Sequence, residues 1–519
     1  MPMPSFDAIV IGAGPNGLAA AHALRGQGRD VLLLDDAPVP GGGASGRGAF
    51  APGFPAPPLA HLAFQLDPRV AAGMRLAEHG LDWITTDLAT TALSDTGAHL
   101  VLSGPAGAMV EGVSPEDRAA WAALRARLMR FAQVLGPFRR MPPPRLARRA
   151  GNDWGRLLRA AAKVRMIGTA EFRELLRMLL TNVHDTLNDE LTDPRLKGVL
   201  AFDATLGTWL APRSPNSLIL WLDRLAGQAG GVQGALGLPK GGVGAIAAAM
   251  ARSAQAAGVV VRADARAARV LVEGDRARGV ALASGEEIAA GLVVSAISPK
   301  DTLLSLVGPR HLDAGMTARM AHQKARGAAA KLHLALTGLP DFRGADPATR
   351  LVIAPSEEDV EHAFNPVKYG QVPEAPVMEV VIPSVHEPGH APPGQHLLSA
   401  IVQYAPHDPV DGHDAARVAM LAATMAQLER HAPGIGALVS HAEMLMPHDI
   451  QARWGMPGGN WHHGELSVEQ MLFLRPLPEL AQYRTPVQGL WLASAGCHPG
   501  GGISGAAGWN AAEAIGRAR

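Results

Sequence analysis

The chain opens with a short apolar, β-branched run, Asp7 to Ile11, and then a glycine turn. An alanine-rich stretch follows from Leu18 to Leu24, and a second apolar run from Val31 to Leu34 ends at Asp35. Strand, helix and strand in that order predict a βαβ unit. A Gly/Pro-rich passage from Pro38 to Pro58 cannot sustain regular structure but can wrap around a ligand. Arg118 to Leu191 reads as several helices broken at MPPPR, with a further helix after APRSPNS. From Leu238 the pattern returns to a helix and then to strands and hairpins in AARVLVEGDRARGVALASG and LVVSAIS. Longer strands such as AAAKLHLALTG, VMEVVIPS and HLLSAIVQYAP lead to a helix at Asp414 to Arg430, and GLWLASAG with the final helix returns to the first pattern.

This order predicts an α/β fold whose nucleotide-binding domain is assembled from separate pieces. Its expected segments are 1–75, 235–300 and 485–519, with an α+β substrate domain at 76–234 and 301–484 that is mainly helical and basic over 118–230. A length of 519 residues is too great for one ordinary core and fits two or three domains.

Gly12, Gly14 and Gly17 form GxGxxG between strand and helix, with Asp35 closing the next strand. One glycine serves the tight turn, one the approach of a pyrophosphate and one close helix packing, while the acid accepts from ribose hydroxyls. The helix N-terminus adds unpaired N–H groups for the phosphates. Two other glycine sets match by letter, at Gly41, Gly43 and Gly46 and at Gly500, Gly502 and Gly505. The late set opens a second helix N-terminus, which suits a flavin: reduction places negative charge where amides at Gly502 and Ile503 would stabilise it, and a nicotinamide forms no such anion. FAD is therefore the expected cofactor.

Composition narrows the chemistry. Lys+Arg and Asp+Glu each number 47, so no overall charge draws the chain to nucleic acid. Between Arg118 and Arg177, however, fifteen basic residues face three acids, a local excess suited to a solvated face or to peripheral contact with an anionic membrane. Cys497 is the only cysteine, which removes paired-thiol redox chemistry. HEPGH at His386 to His390 has the spacing of a zinc protease, but Pro388 and Gly389 forbid the helix that would align its histidines, so it reads as a loop between strands and no metal is expected. The start lacks a basic leader and no apolar run is long enough to span a bilayer, so the expected location is cytoplasmic, with peripheral membrane association through 118–177.

The opening DAIVIGAGPNGLAAAHAL, the middle LPKGGVGAIAAAMA and the late GGNWHHGELSVEQMLFLRPLP and GLWLASAGCHPGGGISGAAGWNAA resemble the phytoene desaturase-related FAD oxidoreductases, most closely the pyridine nucleotide-disulfide oxidoreductase domain-containing protein 2-like branch. The resemblance covers nearly the whole chain. It implies a discontinuous Rossmann-like FAD domain of glutathione reductase/amine oxidase type, and a substrate domain with a mixed sheet and a helical subdomain. Flavin contacts would fall on Gly12, Gly14, Gly17, Asp35, Gly41, Gly42, Ala267, Gly496, Gly502 and Ile503. Cys497 stands where that branch usually has a small hydroxyl residue, and Asp35 where glutamate is more usual.

The implied activity is dehydrogenation of an apolar or amphipathic small molecule, with the electron acceptor left open between oxygen, a quinone and others. Candidates near the flavin are His463, His498 and Lys331, together with Asn460 and Glu465. Lys331 and His333 share one face of their strand, which fits either a cavity or solvent. Two other readings stay open: an amine oxidase, against which the three tyrosines of the chain speak, and a flavoprotein acting in isomerisation or through a partner or membrane.

Overall fold

The computed structural model describes residues 4–48, 50–144, 155 and 168–518. A seven-stranded sheet carries the glycine turns. Strands Val260–Arg262, Val31–Leu34, Ser5–Ile11 and Glu287–Ser295 lie side by side and parallel. The far edge of Glu287–Ser295 is divided: its first residues pair antiparallel with Arg276–Leu282, which continues to Ala267–Glu273, and its last three pair parallel with Leu490–Leu492. Segments far apart in sequence therefore meet at the carboxyl ends of one parallel sheet, where open α/β sheets bind ligands.

Alternation along these strands sends Val10 and Leu33 to one face and Ile9 and Leu32 to the other. The first face is covered by helices Pro15–Gly26, Gly244–Ala256 and Ala506–Arg517, whose small residues allow close approach. Gly508 sets the distance: a β-carbon there would lie 1.8 Å from the Asn16 carbonyl oxygen. The second face packs on the hairpin residues Val270 and Val280.

An eight-stranded sheet forms the other half, ordered 439–445, 329–336, 396–403, 377–381, 350–353, 90–92, 100–103 and 109–111. Its pairs are antiparallel except Arg350–Ile353 with Thr90–Ala92. Leu332, Leu334, Leu398 and Val380 pack against helix His413–His431 through Met420 and Leu428. The opposite face holds Lys331, Ile401 and Glu379 in one cross-strand row. Helices Pro115–Arg139, Thr169–Leu180, Val183–Glu190, Pro194–Thr205 and Leu218–Leu225 share a separate apolar core with the sheet's outer strands.

The segment containing HEPGH, expected as a loop, forms two short helical turns, Pro383–His386 and Pro388–His390, each started by a proline at its first position. Of the fifteen basic residues at 118–177, the seven from Arg145 to Arg165 lie outside the described residues. The described ones are mostly engaged: Arg125 donates to the Pro105 carbonyl, Arg127 pairs with Glu190, Arg130 with Glu171, Arg139 with Asp223 and Arg177 with Glu174. No described helix is long and apolar enough to cross a membrane.

Candidate active site

A single cavity of about 1060 Å³ runs from the first glycine turn to the face of the large sheet. Ordinary ligand pockets measure roughly 300–1,000 Å³, so it has room for an extended cofactor with a substrate beside it.

At its nucleotide end, strand Ser5–Ile11 turns through Gly12 at φ +94° into the helix that Pro15 begins. The three glycines differ in their surroundings. A β-carbon on Gly17 would sit 1.8 Å from the Gly12 carbonyl oxygen, whereas one on Gly14 would meet nothing closer than the Gly42 Cα at 4.0 Å. Gly17 thus closes the helix against the turn, and Gly14 leaves open space that the cavity reaches. Asp35, 4% exposed, accepts from the Ala13 amide at 2.5 Å and the Ala37 amide at 2.9 Å. Burial raises its pKa against these two amides. Gly42 and Ala267 also line the cavity, and Ala265 and Arg266, which pattern reading missed, stand beside Ala267. Gly41 does not line it; at φ +140° it turns the chain beside Ser45.

The late glycine cluster reaches the same cavity through Gly501, Gly502, Ile503 and Ser504. Gly502 has φ +106° and Ile503 φ +56°, and the helix begins only at Ala506. Their amides thus belong to the turn that precedes the helix, a correction to the expectation that the helix end itself supplies them. Neither amide finds an acceptor among the described residues, which suits donors reserved for a ligand. Gly496 is turned away, packed so that a β-carbon would lie 2.4 Å from Pro299 Cδ. Open space at Gly14, the Asp35 carboxylate and these spare amides fit FAD.

Of the expected catalytic candidates, His463 lines the cavity. Its backbone sits at φ +54°, its Nδ1 is buried without a partner, and desolvation, helped by Arg475, lowers its pKa to about 4. His498 does not line the cavity; its Nε2 donates to the Phe138 carbonyl at 2.7 Å. Asn460 and Glu465 brace the loop: Asn460 donates to the Arg326 carbonyl, and Glu465 pairs with Arg326 at 2.7 Å. Arg475, fully buried, donates to the carbonyls of His462, Gly464, Glu465, Gln470 and Ala495, fixing the His463 loop against the late glycine turn.

Lys331 stands behind the cavity wall, 1% exposed, and donates from Nζ to His61 Nδ1 at 3.1 Å. His61 lines the cavity and donates from Nε2 to Glu379 at 2.9 Å, so its Nδ1 is the acceptor. Glu379 accepts from Arg350 at 2.6 Å, and Arg350 reaches on to Asp203 at 2.5 Å. Sequence reading named only the lysine of this buried chain.

Burial lowers the Lys331 pKa from its ordinary 10.5 to about 7. Between those values the unfolded chain binds more protons, so stability gained from this group rises with pH through that window. Thermal melts between pH 7 and 10 are expected to show Lys331→Met losing that rise, with its largest gain over the parent near neutral pH.

A family model described as FAD dependent oxidoreductase matches residues 7–186. The chain is 31% identical to Pyridine nucleotide-disulfide oxidoreductase domain-containing protein 2 of Rattus norvegicus, over 99% of this chain and 93% of that one. The chain belongs to that family. It is an FAD-dependent oxidoreductase. It is also 28% identical to a hydroxyneurosporene desaturase of Cereibacter sphaeroides, over 98% of this chain and 97% of the relative. In fold it is similar to putrescine oxidase, with a TM-score of 0.61, 17% identity and full coverage of both chains. The family name refers to disulfides, yet the lone Cys497 is buried and its thiol pKa is raised to about 11, mainly by desolvation.

Proposed function

We propose that this enzyme dehydrogenates an amphipathic small molecule. The observation that carries the reading is the composition of the cavity beyond the glycine turns. Leu59, Leu62, Leu206, Leu220, Leu236 and Ile401 line it, and its carboxylates at Asp203, Asp223 and Glu379 are each already paired with an arginine.

An amine substrate would need an unpaired carboxylate or an aromatic enclosure. Phe64 is covered by Arg224 at 4.3 Å, Trp454 and Trp461 pack with Leu59 and Met456, and no described tyrosine lines the cavity. The hydroxyneurosporene desaturase likeness supports the same direction.

Bound FAD supplies a two-electron acceptor for hydride. The chain's own residues position the substrate and keep water from it. Apolar walls exclude water from the reacting carbon, and the loop locked by Arg475 holds His463 at the cavity wall. With its pKa lowered to about 4 this histidine is neutral at physiological pH, so it stands at the cavity wall as an uncharged polar contact that orients the substrate.

Helix Thr169–Leu180 exposes Phe172, Leu176 and Leu180 at a spacing of four, next to Arg173 and Arg177. This stripe supports delivery of the substrate from a lipid surface.

The test is anaerobic mixing of the yellow protein with lipid and polar extracts. Bleaching by the lipid fraction is the expected result. Bleaching only by primary amines would replace the reading with amine oxidation.

A further inference from the structure

The inner end of the cavity, against the large sheet, holds an arginine that its protein partners do not use up. Arg224, on helix Leu218–Leu225, lines the cavity with its side chain 13% exposed and its guanidinium 4.3 Å from the Phe64 ring centre. Its only described ion pair is from Nη2 to Asp203 Oδ1 at 3.3 Å. That same oxygen takes Arg350 at 2.5 Å, so Asp203 is committed first to Arg350. Nε and Nη1 of Arg224 make no hydrogen bond with the described residues.

The carboxylates at this end are committed to other groups. Arg139, Arg224, Arg350 and Lys331 stand among Asp203, Asp223 and Glu379, while His61 is held neutral by its burial. Asp223 is taken by Arg139 and by Gln65, and Glu379 by Arg350 and His61. Each carboxylate is thus answered by a cation, whereas Lys331 has only the neutral His61 ring as hydrogen-bond partner. The spare donors of Arg224 call for one further acceptor, and its charge favours a negative one.

We infer that Arg224 reads the head of the substrate, and that the substrate is an amphipathic carboxylate whose anionic end lodges against Arg224 while its apolar body lies along Leu59, Leu62, Leu206 and Leu220. The free Nε–H and Nη1–H leave the planar guanidinium on separate edges, so either offers a carboxylate a charge-assisted hydrogen bond, and the Phe64 ring at 4.3 Å holds the plane flat. This rests on the proposed dehydrogenation of an amphipathic molecule and names its chemical class. Arg224 acts on specificity, since it binds the non-reacting end.

The test is a titration of the oxidised holoprotein with decanoate, decanol and decylamine, read as perturbation of the flavin absorbance. Decanoate is expected to bind at least about 10-fold more tightly than decanol, the size of one charge-assisted hydrogen-bond pair. Arg224→Gln, still yellow, is expected to bind the two alike, with decanol unchanged. Arg224→Lys, which keeps the charge without the planar fork, is expected to retain part of the preference and serves where the glutamine variant does not fold. Equal binding of decanoate and decanol to the parent, or a preference that survives Arg224→Gln, overturns the assignment and leaves the amphipathic reading standing. Binding of decylamine alone, or of none of the three, overturns both.

Discussion

Gly17→Ala is expected to give a colourless and strongly destabilised protein, and Gly14→Ala a colourless protein whose cofactor-free form melts with the parent's. The two glycines share one motif but face different atoms. At Gly17 the added methyl would lie 1.8 Å from the Gly12 carbonyl oxygen and 3.1 Å from Ala296 Cβ. Backbone on one side and a packed strand end on the other leave it nowhere to go, so the cost belongs with the exceptional single substitutions, above about 4 kcal/mol. Gly14 has φ −68°, which alanine adopts freely, and a methyl there has no neighbour closer than 4.0 Å. Its loss is confined to the space a pyrophosphate needs, so stability falls only by the contribution of bound cofactor, about 2.7 kcal/mol at a hundredfold excess over Kd. FAD content after gel filtration and melting of the stripped proteins separate the two effects.

Arg350→Met is expected to destabilise the fold by about 3–5 kcal/mol, because it removes the paired cation of the buried Glu379 and leaves the half-buried Asp203 with Arg224 alone. Arg350 is fully buried and is the group that most strongly holds the Glu379 pKa far below the carboxylate range, against desolvation. A depressed carboxylate pKa contributes stability above its unfolded value, and that contribution is lost as pH falls through the folded value. In the parent that loss lies at very acid pH. Without Arg350 the Glu379 pKa climbs, so acid unfolding of Arg350→Met is expected to begin at higher pH. Arg350→Lys should rescue little, since one ammonium cannot span Glu379 and Asp203 as Nε and Nη2 do.

The nucleotide half was legible because its signals are local. Gly12, Gly14, Gly17 and Asp35 lie within one βαβ unit, and a short apolar strand, a turn and a helix each leave a mark over a few residues. The late glycine turn was legible in kind but not in direction. Gly502 and Ile503 line the cavity, while Gly496 and His498 turn away because Pro299 and Phe138 pack against them, and neither neighbour is near in sequence.

The polar chain at the inner end left almost no local signal. His61 and Lys331 are 270 positions apart, and Arg350 and Asp203 147. Strand Ala329–Leu336 is buried along its whole length, so its alternation could not say whether Lys331 meets a cavity or solvent. It meets neither: it stands behind His61, a residue set in a loop with no periodicity to read. Arg224 was hidden in the same way, next to Asp223 in an otherwise apolar helix.

The central claim, that the substrate is oxidised at the flavin, is tested most directly by analysing the molecule consumed in anaerobic mixing with the lipid fraction. Its mass is expected to fall by two hydrogen atoms, in an amount matching the flavin bleached. Conversion to a product of unchanged mass while the flavin stays oxidised would contradict the account and assign the site to isomerisation.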